Sequence, residues 1–144
     1  MRHIYSKIKS NKLLHLIIKP SDFKKKITEV TSKDKSLQCI AIKVAKGEKI
    51  STHKHIKKKN NKIDNLRIQE SWCVVSGLAR GYFYDVNNKL LKTVTLKPGH
   101  ASFTFEGGHS FKALTDETIV YEYKKGPFDI NINDRIYFKW KKKL

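Results

Sequence analysis

The residues of this chain whose types and spacing can do chemistry are His53-Lys54-His55, Glu70 and His109. Two histidines with one residue between them project from the same face of a β-strand, so both imidazoles can reach one point. On an α-helix the same pair would diverge by about 200°. Glu70 opens the next apolar run and His109 follows Gly107-Gly108, giving a set of three imidazoles and one carboxylate. Such donors suit divalent iron, manganese, nickel, zinc or copper, and donor type alone does not choose among them. Plainer readings stand beside this one. The two histidines can be exposed polar residues on an outward strand face beside a lysine run, and His109 can be a turn histidine. Glu70 can be a strand-end charge pairing with a lysine or Arg67, worth about 0–1 kcal/mol when exposed.

For these side chains to meet, the elements that carry them must be strands. The run Cys39-Ile40-Ala41-Ile42-Lys43-Val44 is short and rich in branched residues, and Lys46-Gly47-Glu48 ends it as a turn. Further strands are expected over 50–55, 70–75, 79–85, 90–96, 101–105, 110–114 and 118–124. Asn87-Asn88 reads as a tight hairpin turn, because Asn tolerates the positive φ that such turns need. Lys97-Pro98-Gly99, Gly107-Gly108 and Thr115-Asp116-Glu117 supply further turns. Short strands at roughly 8–12-residue spacing indicate an all-β fold, here a small antiparallel β-barrel. Residues 1–36 are basic and weakly patterned and read as an N-terminal arm. Within it Asp22 can cap a short helix running to Val30, or the segment can form an edge strand. The expected division is an arm over 1–36, a barrel over 37–138 and a basic tail over 139–144.

The chain has 144 residues, which excludes two large domains. Lys and Arg number 31 against 13 acidic residues, a formal charge of +18 that suits a polyanion partner. Yet 27 of the 31 are Lys and four are Arg, alongside 15 Ile and eight Asn. All three abundant types have A/T-rich codons, so biased base composition produces the same excess. Base recognition also favours the planar fork of Arg, so nucleic acid is not the expected partner. Cys39 and Cys73 show no CxxC spacing and read as buried thiols in a reducing compartment. The apolar stretch from Leu13 to Ile18 is interrupted by His15 and far too short to span a membrane, so a soluble, cytoplasmic protein is expected.

Gly47-x5-His53-x-His55 followed by Glu70-x6-Gly77 resembles the first motif of the cupin superfamily, whose two His and one Glu are metal ligands. Gly99 with Gly107-Gly108-His109 is similar to the second motif, which supplies the last His. The segments Lys97-Pro98-Gly99, Glu106-Gly107-Gly108-His109-Ser110-Phe111 and Lys124-Lys125-Gly126-Pro127-Phe128, with Arg67-x-Gln69-Glu70, resemble a narrower group. These are small single-domain cupins of bacterial surface-polysaccharide or sugar-nucleotide gene clusters. The resemblance covers about residues 37–138. It departs from the general motif in the 14 residues between His55 and Glu70, which place 56–68 in a long loop at the barrel mouth.

The resemblance implies a cupin (jelly-roll) barrel holding a divalent metal ion (Fe, Mn, Ni or Zn) on His53, His55, Glu70 and His109. Its ligand would be small, anionic or sugar-derived, in surface carbohydrate biosynthesis. Alternation adds further candidates. Trp72 shares the face of Glu70 and can wall the site or stack on a sugar ring, or be a core tryptophan. Arg80, Tyr82 and Tyr84 share one face, where Arg80 and Tyr84 can bind an anionic or hydroxyl-rich ligand. Isomerase or epimerase chemistry needs an acid/base group, for which Tyr82, Glu106 and His100 are candidates by type. A loop carrying Lys57–Lys59 would steer anions towards the mouth. The alternatives are a non-catalytic sugar-binding or regulatory cupin, and a metal-free sugar-nucleotide isomerase using the His pair as acid and base. Exposed sheet edges point to a homodimer.

Overall fold

The structure, a computed structural model, describes residues 1–56, 68–126 and 135–139. The expectations placed on Lys57–Lys59, Arg67, Pro127-Phe128 and the tail from 140 onward lie outside the described residues. In chain order the strands are β1 (Arg2–Tyr5), β2 (Leu13–Ile17), β3 (Ile27–Glu29), β4 (Leu37–Val44), β5 (His53–His55) and β6 (Glu70–Ser76). They continue as β7 (Ala79–Tyr84), β8 (Leu90–Leu96), β9 (Ala101–Thr104), β10 (Gly108–Ala113), β11 (Thr118–Lys125) and β12 (Arg135–Tyr137). The chain is all-β. One five-stranded antiparallel sheet runs β3-β4-β11-β6-β9 and the other β12-β5-β10-β7-β8, while β1 and β2 form a separate hairpin. No ladder joins the two sheets among the described residues. The expected barrel is therefore not closed, and the architecture is a jelly-roll-like pair of facing sheets.

Alternation sorts the side chains of each strand. Ile42 and Val44 of β4, Trp72 and Val74 of β6, Leu96 of β8, Phe111 of β10 and Val120 of β11 fill the space between the sheets. The odd-numbered partners on β4, β6 and β11 point the other way. There Ala41, Ile119 and Tyr121 form a second apolar layer under Phe23, with Ile18, Val30 and Val75 packed against it. The N-terminal segment thus covers the back of one sheet. The short helix expected from Asp22 to Val30 does not form: only a single 3-10 turn, Pro20–Asp22, is present. The reason lies in the cap itself. Asp22 accepts a hydrogen bond from the Lys19 backbone N–H at 3.0 Å and pairs with the N-terminal ammonium at 2.8 Å, so its carboxylate faces backwards. Ile27-Thr28-Glu29 instead pairs along the edge of β4, the edge-strand alternative.

Positive φ angles mark two of the chain reversals that the turn residues foretold. Asn88 takes a φ of 67° in the β7–β8 hairpin, as expected. Gly107 has a φ of 84°, and a Cβ there would run into the Tyr84 carbonyl. Only glycine lets the chain enter β10 in the register that points His109 inward.

Candidate metal centre

β5 and β10 are neighbours, and their antiparallel register sets His109 opposite His53. His55 follows on the same face of β5, so the two strands deliver three imidazoles from one sheet. Glu70 arrives from the other sheet, at the start of β6. The donor atoms of the four residues lie within 4.8 Å of one another. All four are buried, at 1% (His53), 4% (His55), 3% (Glu70) and 1% (His109) exposure, which excludes the reading of exposed strand or turn residues.

Each donor is oriented by a contact. His53 Nδ1–H donates to the Ser51 carbonyl at 2.8 Å, which leaves the lone pair on Nε2. That Nε2 is buried with no hydrogen-bond partner among the described residues. Glu70 accepts from His55 Nε2 at 3.0 Å and from His109 Nε2 at 3.1 Å. Burial alone would push the Glu70 carboxyl up, but the hydrogen bonds from His109 and His55 outweigh it and hold the group well below its usual range. His53 is driven down to about 4 by burial and by the neighbouring His109, so it is neutral at pH 7. A buried carboxylate, three buried imidazoles and the orphaned Nε2 of His53 fit a divalent ion. The four residues could together hold a divalent ion.

A second layer, invisible to the spacing argument, holds Glu70. Arg135 of β12 places Nη2 at 3.3 Å from Glu70 Oε2 and 3.1 Å from Glu122 Oε1, linking the two sheets. Glu122 also accepts from Trp72 Nε1–H at 3.3 Å, and Lys124 Nζ stands 3.8 Å from it. Burial first, and then the charge of Glu70, raise the Glu122 carboxyl above its ordinary value. The signal that could have found this layer is phase: Glu122 and Lys124 fall on the same side of β11 as the core residue Val120. Arg135, by contrast, sits in a weakly patterned stretch.

The other expected site residues divide sharply. Trp72 lies at the centre, its ring 4.5 Å from His109 and 4.9 Å from Phe111, edge to face with both. It is 2% exposed and part of the core, as the plainer reading has it. Arg80, Tyr82 and Tyr84 do share a face of β7. In the β7–β10 ladder, however, His109 is opposite Phe83 and Phe111 is opposite Gly81. Arg80, Tyr82 and Tyr84 therefore lie on the opposite face of β7, away from the cluster. Tyr84 packs against Phe138 at 5.3 Å, and Lys49 Nζ sits 5.1 Å above the Tyr82 ring. Glu106 and His100 are exposed in turns. The structure brings none of these five to the histidines.

The perturbed His53 has a consequence for stability. Between pH 6.5 and about 4 the unfolded chain binds a proton on this residue that the folded, metal-free chain does not. Stability conferred by neutral His53 is full above 6.5, falls through that window and levels off below it, by about 3 kcal/mol in all. Glu122 acts in the opposite sense, so the effect is read as a difference. Melting curves of metal-free wild type and His53→Gln should converge as the pH falls from 7 to 4. A constant gap would show that His53 titrates normally.

No protein-family model matches the chain, and no curated protein matches it. Solved structures do. The capsular polysaccharide assembling protein CapF from Staphylococcus aureus matches with a TM-score of 0.65 and 19% identity over 79% of this chain. The match takes in 32% of CapF, so the chain spans about a third of that protein's length. KdgF from Halomonas sp. gives 0.56 at 17% identity, covering 73% of this chain and 82% of KdgF. Oxalate decarboxylase from Bacillus subtilis gives 0.54 at 18% identity, over 72% of this chain and 24% of that one. A cupin-2 domain protein from Shewanella frigidimarina is also similar, at 0.51 and 17% identity. The two facing sheets with three histidines and a glutamate between them are thus a cupin jelly roll. The chain has the cupin fold, and the buried cluster that could hold a divalent ion lies where the sequence motifs indicate.

Proposed function

We propose that this chain is a metal-dependent cupin that takes a small anionic, sugar-derived ligand in surface carbohydrate metabolism. The observation that carries the reading is the charge of the buried site. Among the described residues Arg135 and Lys124 stand beside Glu70 and Glu122, and a divalent ion held by the histidines would add to this positive charge. Excess charge in a water-poor site is costly unless a counter-ion joins it, which favours an anionic ligand over a neutral one. A divalent ion there supplies Lewis acidity towards a carbonyl or ene-diol oxygen. The chain's own part is to hold the donors, with Ser51 fixing His53, and to exclude water with Trp72 and Phe111. The fold likeness to a capsular polysaccharide assembling protein supports the carbohydrate setting.

Whether the ligand is turned over or only bound depends on an acid/base group. Tyr82 lies on the far face of β7 from the histidines, so of the two candidates the exposed Glu106 stays the proposal for that role. Calorimetric titration of metal-loaded protein with glucuronate, beside neutral glucose, tests the reading. Saturable glucuronate binding that vanishes after chelation and a much weaker response to glucose are expected. Binding that survives chelation would favour the metal-free His pair. Steep loss of binding with salt and no saturable small ligand would favour nucleic acid.

A second copy of the chain is also part of the proposal. The β1–β2 hairpin leaves Tyr5, Leu13, Leu14 and Ile17 exposed. An isolated two-stranded hairpin is marginal in water, and a partner surface over these residues would stabilise it. Light scattering should give twice 16.8 kDa at micromolar concentration, and a monomeric mass would refute the dimer. No helix among the described residues is long and apolar enough to cross a membrane. The two free thiols, Cys39 and Cys73, suit a reducing, cytoplasmic setting.

A further inference from the structure

We infer that Glu122 sets the strength of the metal centre without touching it, by drawing the charge of Arg135 away from Glu70. The inference rests on the metal reading of the His53–His55–Glu70–His109 cluster and goes beyond it. Glu122 is none of the four donors, yet it is a carboxylate at 4% exposure in the middle of the sheet that carries Glu70. In the β11–β6 ladder Glu122 lies opposite Trp72 and Lys124 opposite Glu70, so Glu122 is a diagonal neighbour of Glu70 on the same inward face. A buried carboxylate costs free energy unless it is paired, and an apolar residue of similar size would fit the adjoining core without that cost.

What Glu122 does is visible in how Arg135 is shared. A single guanidinium nitrogen, Nη2, lies between the two carboxylates, slightly nearer Glu122 (3.1 Å) than Glu70 (3.3 Å). Glu122 is held in that position from its other side by Trp72 Nε1–H at 3.3 Å. The Glu70 oxygen that Arg135 approaches, Oε2, is also the one facing His55 Nε2. A cation at the centre and the guanidinium therefore compete for one carboxylate. With Glu122 ionised, the Arg135 charge is divided and Glu70 keeps donor strength. With Glu122 replaced by a neutral residue, a larger share of the guanidinium charge falls on Glu70 and opposes the metal. With Arg135 removed, Glu70 faces the metal without the opposing guanidinium charge. Groups one shell out from the ligands typically shift metal affinity by about 10–100-fold.

The two residues must then act with opposite signs, which a merely structural role does not predict. The test is competition for Co2+ against a chromophoric chelator at pH 7.5, using the full chain and checking each variant for a cooperative melt. Glu122→Gln should bind Co2+ about tenfold more weakly than wild type and Arg135→Gln about tenfold more tightly, and the double variant should bind as tightly as Arg135→Gln, because Glu122 acts through Arg135. If both single variants weaken binding, or neither changes it while wild type binds, the inference is overturned and the metal reading survives. If wild type itself fails to bind Co2+, Mn2+, Ni2+, Zn2+ or Fe2+, both fall. Should Glu122→Gln not fold, Arg135→Gln alone decides, since weakened binding there contradicts the competition.

Discussion

Replacing His53 and His55 together by alanine should take the metal content from about one ion per chain to a few per cent of that, the largest loss any pair of substitutions can produce here. The two imidazoles are half of the donor set and come from one three-residue strand, His53–His55. What remains is Glu70 from one sheet and His109 from the other, a pair that cannot enclose an ion. Losing a ligand costs more than losing one of its supports, and the supports alone are worth about 10–100-fold each. The fold should tolerate the change better than the site does. β5 is held to β10 and β12 by backbone pairing, and alanine leaves those ladders in place. The measurement is metal content by mass spectrometry on untagged protein purified without chelators. Metal retained by the variant would put the ion elsewhere in the chain. A parent that takes up none after iron, manganese, nickel and zinc are added back would shift the reading to acid/base chemistry by the His pair or to a binding module.

How much of the fold and the site was legible in the sequence depends on how each residue signals its place. The four donors were legible because metal ligation demands rare types at fixed phase: two histidines two apart are on one face of any strand, and glycines mark the entry to β10. The phase of Glu70, Trp72 and Val74 in β6 was legible for the same reason. Arg80, Tyr82 and Tyr84 show where phase stops helping. Alternation proves that they share a face but not which face, and only the ladder between His109 and Phe83 decides it. Arg135 and Glu122 were not legible as partners, because an ion pair between strands of opposite sheets leaves no local pattern. The N-terminal segment misled for a related reason. Asp22 before a lysine run looks like a helix cap, but the branched residues Ile27, Thr28 and Val30 and the pull of an apolar sheet face on Phe23 override that local preference.

Because Phe23 anchors that segment, Phe23→Ala is the sharpest test of what residues 1–36 do. Phe23 is 1% exposed, and its ring meets Tyr121 edge-on at 5.6 Å, over Ala41 and Ile119. An appendage that merely trails from the domain would lose almost nothing when one aromatic is truncated. A side chain sealing the back of a core sheet should cost about 3–5 kcal/mol, the range for emptying a buried aromatic site. Urea unfolding should show the midpoint falling with little change in slope, because the same surface is exposed on unfolding. Metal binding by the folded fraction should be unchanged. Ala41 and Tyr121 lie on the face of the β4–β11–β6 sheet opposite to Glu70, and the inward residues of that sheet are positioned by a separate core of Ile42, Trp72, Val74 and Val120. A loss below about 1 kcal/mol would mean that the segment detaches without consequence. A loss of metal along with stability would mean that the two faces of the sheet are coupled. The expected result, large in stability and absent in metal affinity, assigns the N-terminal segment to the fold and leaves the chemistry to the other side of the sheet.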